Sequence, residues 1–232
     1  MTFADAVARL EAALGRELPG EAGHAHMAPV PRRAWPQGFN VARVRHAAGL
    51  LLVFPVSAES AETTAHAESG AVRPLRATDT AHIVLTVRGD TPRHPGQVSL
   101  PGGVVEPGET FEQAALREAH EEIALDRAGV RVLGALTPLD IPVSGFRLYP
   151  IVAAVDVHPR LVPADGEVAH ILEIPIDALL DARAVRRVER ERDGVTFAVP
   201  GFHVEAREIW GATAMVLAEF LTLLGWSGPV AD

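Results

Sequence analysis

Residues 96–125, GQVSLPGGVVEPGETFEQAALREAHEEIAL, constrain the fold more than any other stretch of the chain. An extended run gives way at Pro101–Gly102–Gly103 and again at Pro107–Gly108, so a strand breaks into a tight loop. Thr110 and Gln113 have the spacing of a capping box, which predicts a helix from about 111 to 123. At about 100° per residue, Leu116, Ala119 and Ile123 share one side of that helix, and Glu118, Glu121 and Glu122 fall within one arc of the other. One side must therefore pack on an apolar layer while the other gathers like charges. In water such charges repel by roughly a few tenths of a kcal/mol per pair. A charge run of this kind is usually a solvated helix face. The other reading is a cation held among the acids, and hard divalent ions prefer carboxylate oxygens.

The remainder of the chain supplies the apolar layer. Residues 47–56 and 81–89 read as strands that could pair as an elongated hairpin. Residues 57–80 between them are small and polar without periodicity, and read as a mobile loop insertion. Two further strands are expected on either side of a turn at Pro142–Gly145, and a short helix after Pro175. A hairpin over 185–210 with its turn at Asp193–Gly194 comes next, and a closing helix over about 210–224. Before all of these, Phe3, Val7, Leu10 and Leu14 mark an amphipathic helix, followed by the Pro-rich connector MAPVPRRAWPQGFN. The expected organisation is an N-terminal helix and connector over 1–36, an α+β domain over 37–226 and a tail over 227–232.

Composition bounds the function. The net charge of −9 has the wrong sign for general nucleic-acid binding. An acidic chain can still take an anionic ligand through metal cations. With no cysteine, disulfides and thiolate zinc sites are excluded. No apolar run approaches the roughly 20 residues of a membrane span, and the N-terminus lacks the basic start of a secretion signal, so a cytoplasmic protein with no membrane partner is expected.

Spacing around the acids points further. Gly103 is followed by five residues and Glu109, then by seven residues and Arg117–Glu118, then after two more by Glu121–Glu122. This resembles the Nudix box, Gly-x5-Glu-x7-Arg-Glu-apolar-x-Glu-Glu-x-Gly-apolar. One position departs: the closing glycine is Ala124, and a left-handed residue there costs alanine about 1 kcal/mol, so the helix is expected to run on toward Gly129. The resemblance implies the Nudix fold, a mixed β-sheet sandwiched between α-helices, and hydrolysis of a nucleoside diphosphate derivative with Mg²⁺ or Mn²⁺. It implies Glu118, Glu121 and Glu122 as metal ligands, the Gly103 carbonyl as a further one, and Glu109 as the ion-pair partner that orients Arg117. One of the acids would help deprotonate the attacking water.

The segment IVLTVRGDTPRHPGQVSLPGG, residues 83–103, is also similar to the mark of the coenzyme A pyrophosphatase branch, through Leu85, Thr86, Arg88, Gly96, Gln97, Val98, Pro101, Gly102 and Gly103. Residues 136–153 and 208–217 look like that branch too. Gly89 and Leu100 depart from it, and the interval from Arg88 to Gly96 is one residue short, so Arg93 and His94 compete for one register. The resemblance implies cleavage of coenzyme A to 4′-phosphopantetheine and adenosine 3′,5′-bisphosphate, with Arg88, Arg93, His94 and Gly102 at the substrate. Guanidinium forks suit phosphate oxygens. Arg88 as an exposed strand end and Arg93–His94 as a loop pair is the plainer reading. The rivals are a Nudix hydrolase of ADP-ribose or a dinucleotide, and a silent nucleotide sensor. Glu167, in the loop ADGEV, is a further candidate metal ligand or base, against a plain surface acid. Ser144–Gly145–Phe146 is a pocket element or a turn, and Trp210 a packing residue. His24, His26, His46 and His170 lack ligand spacing and read as structural. The expected partner is a small nucleotide of coenzyme A type, with a homodimer as the further association.

Overall fold

The computed structural model describes residues 1–57, 75–89, 96–164, 166–192 and 194–229. The chain begins with helices α1 (Phe3–Leu14) and α2 (Glu21–Ala25), then strands β1 (Arg45–Val56), β2 (Thr80–Arg88), β3 (Val98–Ser99) and β4 (Gly102–Val104). Helix α3 (Phe111–Ile123) is followed by β5 (Arg131–Ala135), β6 (Leu139–Ile141), β7 (Phe146–Ala154), β8 (Val168–Pro175) and α4 (Ile176–Leu180). Strands β9 (Val185–Arg192), β10 (Val195–Val204) and β11 (Arg207–Trp210) lead into α5 (Gly211–Leu223). Among the described residues, β1 to β8 form one mixed sheet and β9 to β11 a second, antiparallel one.

β1 is the central strand, and its alternation explains the layers. Leu50, Leu52, Phe54 and Val56 join a core under α3, whereas Leu51 and Val53 join a core on the opposite face under α1 and α5. A strand buried on both faces reads as the unbroken apolar run seen in the sequence. On α3, Ala114, Ala115 and Ala119 are fully buried, and these small side chains bring the helix close to β1.

The sheet forks. β1 and β2 pair antiparallel only from Val53–Ile83 to Val56–Thr80. Toward the other end they separate: β4 pairs with β1 at Ala47–Gly49, and β3 pairs with β2 at Thr86–Val87. β7 lies parallel to β1 on its other side. The turn Leu100–Pro101 joins β3 to β4 across the fork, fixed by the Leu50 amide donating to the Pro101 carbonyl at 2.8 Å.

Several expectations are corrected. α3 does not run on toward Gly129; it ends at Ile123, with Ala124 left-handed at φ 53°. The next residue, Leu125, is 1% exposed in the core under α3, and its carbonyl meets the His120 ring at 2.9 Å. Burying a leucine is worth about 1.5–3 kcal/mol, which outweighs the left-handed strain. The stretch 185–210 is a three-stranded meander rather than one hairpin. Its second turn has Glu205 and Ala206 at φ 49° and 58°, a tight turn without the usual Gly or Asn. Strand β8 and helix α2 are additions to the expected elements. The loop insertion expected over 57–80 falls mostly outside the described residues. At its far end Asp79 is 1% exposed and Thr80 already pairs in β2. Among the described residues, no helix is long and apolar enough to cross a membrane.

Candidate active site

α3 lies beside the fork, and its N-terminus is fixed as the spacing predicts. Thr110 Oγ accepts from the Gln113 amide at 3.2 Å, and the Gln113 side chain accepts from the Thr110 amide at 2.9 Å. The organising group is Arg117. Its Nε donates to Glu109 Oε1 at 2.8 Å, and its Nη2 to Glu109 Oε2 at 3.1 Å and to the Val104 carbonyl at 3.0 Å. Its Nη1 donates to Glu118 Oε1 and Glu121 Oε2, both at 3.0 Å. One planar five-donor fork thus joins β4, the loop and the helix, which a lysine could not do. The bond to Arg117 holds the Glu109 carboxyl below its ordinary range, and Glu109 in turn holds the guanidinium protonated. The Val104 carbonyl belongs to this site although no side-chain pattern marks it.

Two glycines let the backbone approach the acids. A Cβ on Gly103 would stand 2.4 Å from the Glu118 carboxylate, and one on Gly102 would stand 2.3 Å from the Ala48 carbonyl oxygen. The first contact could be relieved only by moving the Glu118 carboxylate, whereas the second is with backbone, so the turn admits only glycine at Gly102 and a side chain at Gly103 would displace Glu118. The Gly102 amide donates to Glu122 Oε2 at 3.0 Å. Glu122 is buried, Glu118 largely so, and Glu121 is half exposed. Burial pushes the Glu118 carboxyl up, against the opposing pull of Arg117. Among the described residues no three acids converge as a ready-made metal cage. Glu118 and Glu121 turn onto Arg117, and Glu122 onto the Gly102 amide.

A second segment reaches the same helix. The amides of Val162 and Ala164 donate to the carbonyls of Ile123 and Glu122, both at 3.0 Å, and cap the C-terminal end of α3. The chain then reaches Glu167, whose carbonyl accepts from the Gly89 amide at 2.7 Å. The Glu167 side chain faces Arg88, with Nη2 to Oε2 at 3.7 Å. Arg88 sits at the end of β2 where the fork opens, and its buried Nε finds no hydrogen-bond partner among the described residues. Arg93 and His94 lie outside the described residues. Ser144 and Gly145 form a turn, both amides donating to the Ile141 carbonyl at 3.1 Å, and Phe146 lies under the Arg45 guanidinium at 4.0 Å. Trp210 is covered by the Arg190 guanidinium at 4.2 Å.

The NUDIX domain model matches residues 66–192. The uncharacterized Nudix hydrolase NudL of Pectobacterium atrosepticum is 34% identical over 146 residues, covering 62% of this chain and 76% of that protein. NudL of Yersinia pestis (strain Pestoides F), also uncharacterized, is 37% identical over 137 residues, covering 58% of this chain and 68% of its own. Among solved structures, RenU, a Nudix hydrolase from M. smegmatis, superposes with a TM-score of 0.50 at 19% identity, over 82% of this chain and 90% of that one. The last likeness concerns the fold alone.

Proposed function

Because the chain belongs to the Nudix hydrolase family, whose members act on pyrophosphate bonds, we propose that it cleaves the diphosphate of coenzyme A or a derivative. The products are 4′-phosphopantetheine and adenosine 3′,5′-bisphosphate. In this reading residues 37–226 form the catalytic unit, 1–36 a helix and connector docked on it, and 227–232 a tail.

The donor chemistry fits a hard divalent ion such as Mg²⁺ or Mn²⁺: three carboxylates on one arc of α3, with Glu118 packed on Gly103 where a side chain would displace it. Glu118, Glu121 and Glu122 would hold the ion, with the Gly103 carbonyl beside them and Glu167 as a more distant candidate. When bound, such an ion neutralises diphosphate charge and lowers the pKa of the attacking water. The chain's own groups prepare that chemistry. Arg117 fixes the helix to β4 and to Glu109, so the carboxylates enter on a rigid element rather than a loop. The Gly102 amide sets the orientation of Glu122. One of the acids takes the proton from water.

The observation that carries the hydrolase reading is this Arg117-centred arrangement, with Glu118 packed on Gly103. The coenzyme A reading is supported by the likeness over 83–103 and by Arg88 standing at the open end of the fork. Coenzyme A bears a 3′-phosphate besides its diphosphate, and cationic forks are suited to both. The rival is a Nudix hydrolase of ADP-ribose or a dinucleotide. Turnover of coenzyme A, ADP-ribose and a dinucleoside polyphosphate with Mg²⁺ and with Mn²⁺ separates them. We expect kcat/KM for coenzyme A to exceed the others by about tenfold or more, a difference of about 1.4 kcal/mol in transition-state binding. Equal or lower values for coenzyme A would overturn the substrate assignment.

A further inference from the structure

We propose that the connector before β1 and the β6–β7 hairpin form a subsite for the phosphorylated purine nucleoside end of the substrate, with Trp35 as its stacking platform. The inference rests on the coenzyme A reading for its choice of ligand.

Aromatics are scarce in this chain at 5%, yet Trp35, Phe39, Phe111, Phe146 and Tyr149, all half-buried, gather at one end of the main sheet. The rings are ordered rather than scattered. Trp35 stacks on Phe39 at 4.6 Å and 12°, and its indole N–H donates to Asp140 Oδ2 at 3.2 Å. Asp140 is gripped by Arg147 across the hairpin, through Nε at 2.6 Å and Nη2 at 3.0 Å. The hydrogen bond from Arg147 holds the Asp140 carboxyl below its ordinary range, and the charge of Arg32 adds weakly in the same direction. Next to Arg147 on β7, Tyr149 stacks face to face on Phe111 at 3.6 Å, the first residue of α3.

Charge agrees with this ligand. Between Glu21 and Glu59 the chain carries Arg32, Arg33, Arg43 and Arg45 and no acid, within a protein of net charge −9. Arg32, Arg43 and Arg45 are exposed. The connector is held in place at both ends: the Val30 amide donates to the Ala198 carbonyl at 2.9 Å, and the Arg45 amide to the Gly145 carbonyl at 3.0 Å. Position agrees as well. Gly103 pairs with Ala48 and Ala48 with Tyr149, and Asp140, which anchors Trp35, lies one strand further out opposite Arg147, so two strand spacings of about 4.8 Å each separate the diphosphate site from Tyr149 and three from the Trp35 anchor. An extended nucleoside with its diphosphate reaches across that span. The neutral, thin pantetheine arm has no use for guanidinium groups and flat rings; a base with a doubly charged phosphate does.

The test uses the full chain and adenosine 3′,5′-bisphosphate as probe, by titration calorimetry and tryptophan fluorescence. Trp35→Ala is expected to weaken binding about tenfold, the value of one lost base stack. Arg32→Ala is expected to weaken the bisphosphate about tenfold and to leave adenosine 5′-monophosphate unchanged. Arg32 is exposed and Trp35 half-buried, and circular dichroism checks the fold of both variants. In kinetics each should raise KM for coenzyme A with kcat unchanged. Unchanged Kd and KM in both folded variants would overturn the subsite. So would a dimer in wild type that Trp35→Ala converts to monomer in ultracentrifugation with probe binding intact. If coenzyme A is not turned over but the bisphosphate binds with the same variant dependence, the subsite stands and the substrate assignment falls.

Discussion

α3 and α5 are each 13 residues long and cover opposite faces of the same sheet, and each carries buried acid. They use it in opposite ways. On α5 every residue from Thr213 to Leu221 is buried, and Glu219 lies among them fully enclosed. Its carboxylate is saturated: it accepts from the amides of Gly20 and Thr137 at 3.0 and 3.1 Å and from the Thr137 hydroxyl at 2.6 Å, and it meets the His24 ring at 3.0 Å. These partners come from α2, its flank and the segment before β6. Glu219 is therefore a clamp that ties the N-terminal region to the core. On α3, Glu118 and Glu121 share one guanidinium, and Glu122 accepts from the Gly102 amide. Among the described residues, Glu118 and Glu121 have no donor set of that density. A buried acid whose acceptors are all filled holds structure; acids held in place but under-supplied with donors are available for a ligand.

The largest effect should come from breaking the clamp. Glu219→Ala strands His24, the Gly20 amide and the Thr137 amide and hydroxyl without an acceptor, and should cost about 3–5 kcal/mol in denaturant unfolding. The matching change on α3, Glu121→Ala, removes a half-exposed acid and should shift stability by less than about 0.5 kcal/mol. Equal losses at the two positions would erase the distinction.

Gly103→Ala sharpens the comparison from the backbone side. The new methyl would occupy the place of the Glu118 carboxylate at 2.4 Å, so that acid must swing away. Turnover should drop about 10²-fold, as for other catalytic groups displaced by an ångström, measured with saturating Mg²⁺. Full activity would mean that the position of Glu118 is immaterial. The smallest effect is at the helix end. Ala124→Gly relieves the left-handed strain and should raise stability by about 0.5–1 kcal/mol with turnover unchanged. A destabilised variant would show that the alanine methyl makes a contact worth more than the strain.

These contrasts also explain what the sequence could reveal. Glu109, Arg117, Glu118, Glu121 and Glu122 lie on one loop and one helix, so helical periodicity and cap spacing place them relative to one another before any tertiary contact is known. The central strands were legible because burial on both faces leaves long apolar runs. The clamp was not, since Glu219 and His24 are 195 residues apart and only packing joins them. Trp35 and Asp140, 105 residues apart, were hidden for the same reason. The end of α3 was misread because a local rule about glycine was outweighed by the burial of Leu125. The turn at Glu205–Ala206 was missed because neither residue announces a left-handed backbone.

The central claim is that the under-supplied acids of α3 bind a divalent ion at which diphosphate is cleaved. Mn²⁺ titration of the full chain followed by electron paramagnetic resonance, run on wild type and Glu121→Gln with turnover of coenzyme A in parallel, tests it directly. Wild type should bind Mn²⁺, and the variant, with an unchanged melting temperature, should lose both the bound signal and about 10³-fold in rate. A folded Glu121→Gln protein that keeps wild-type Mn²⁺ affinity and turnover would contradict it.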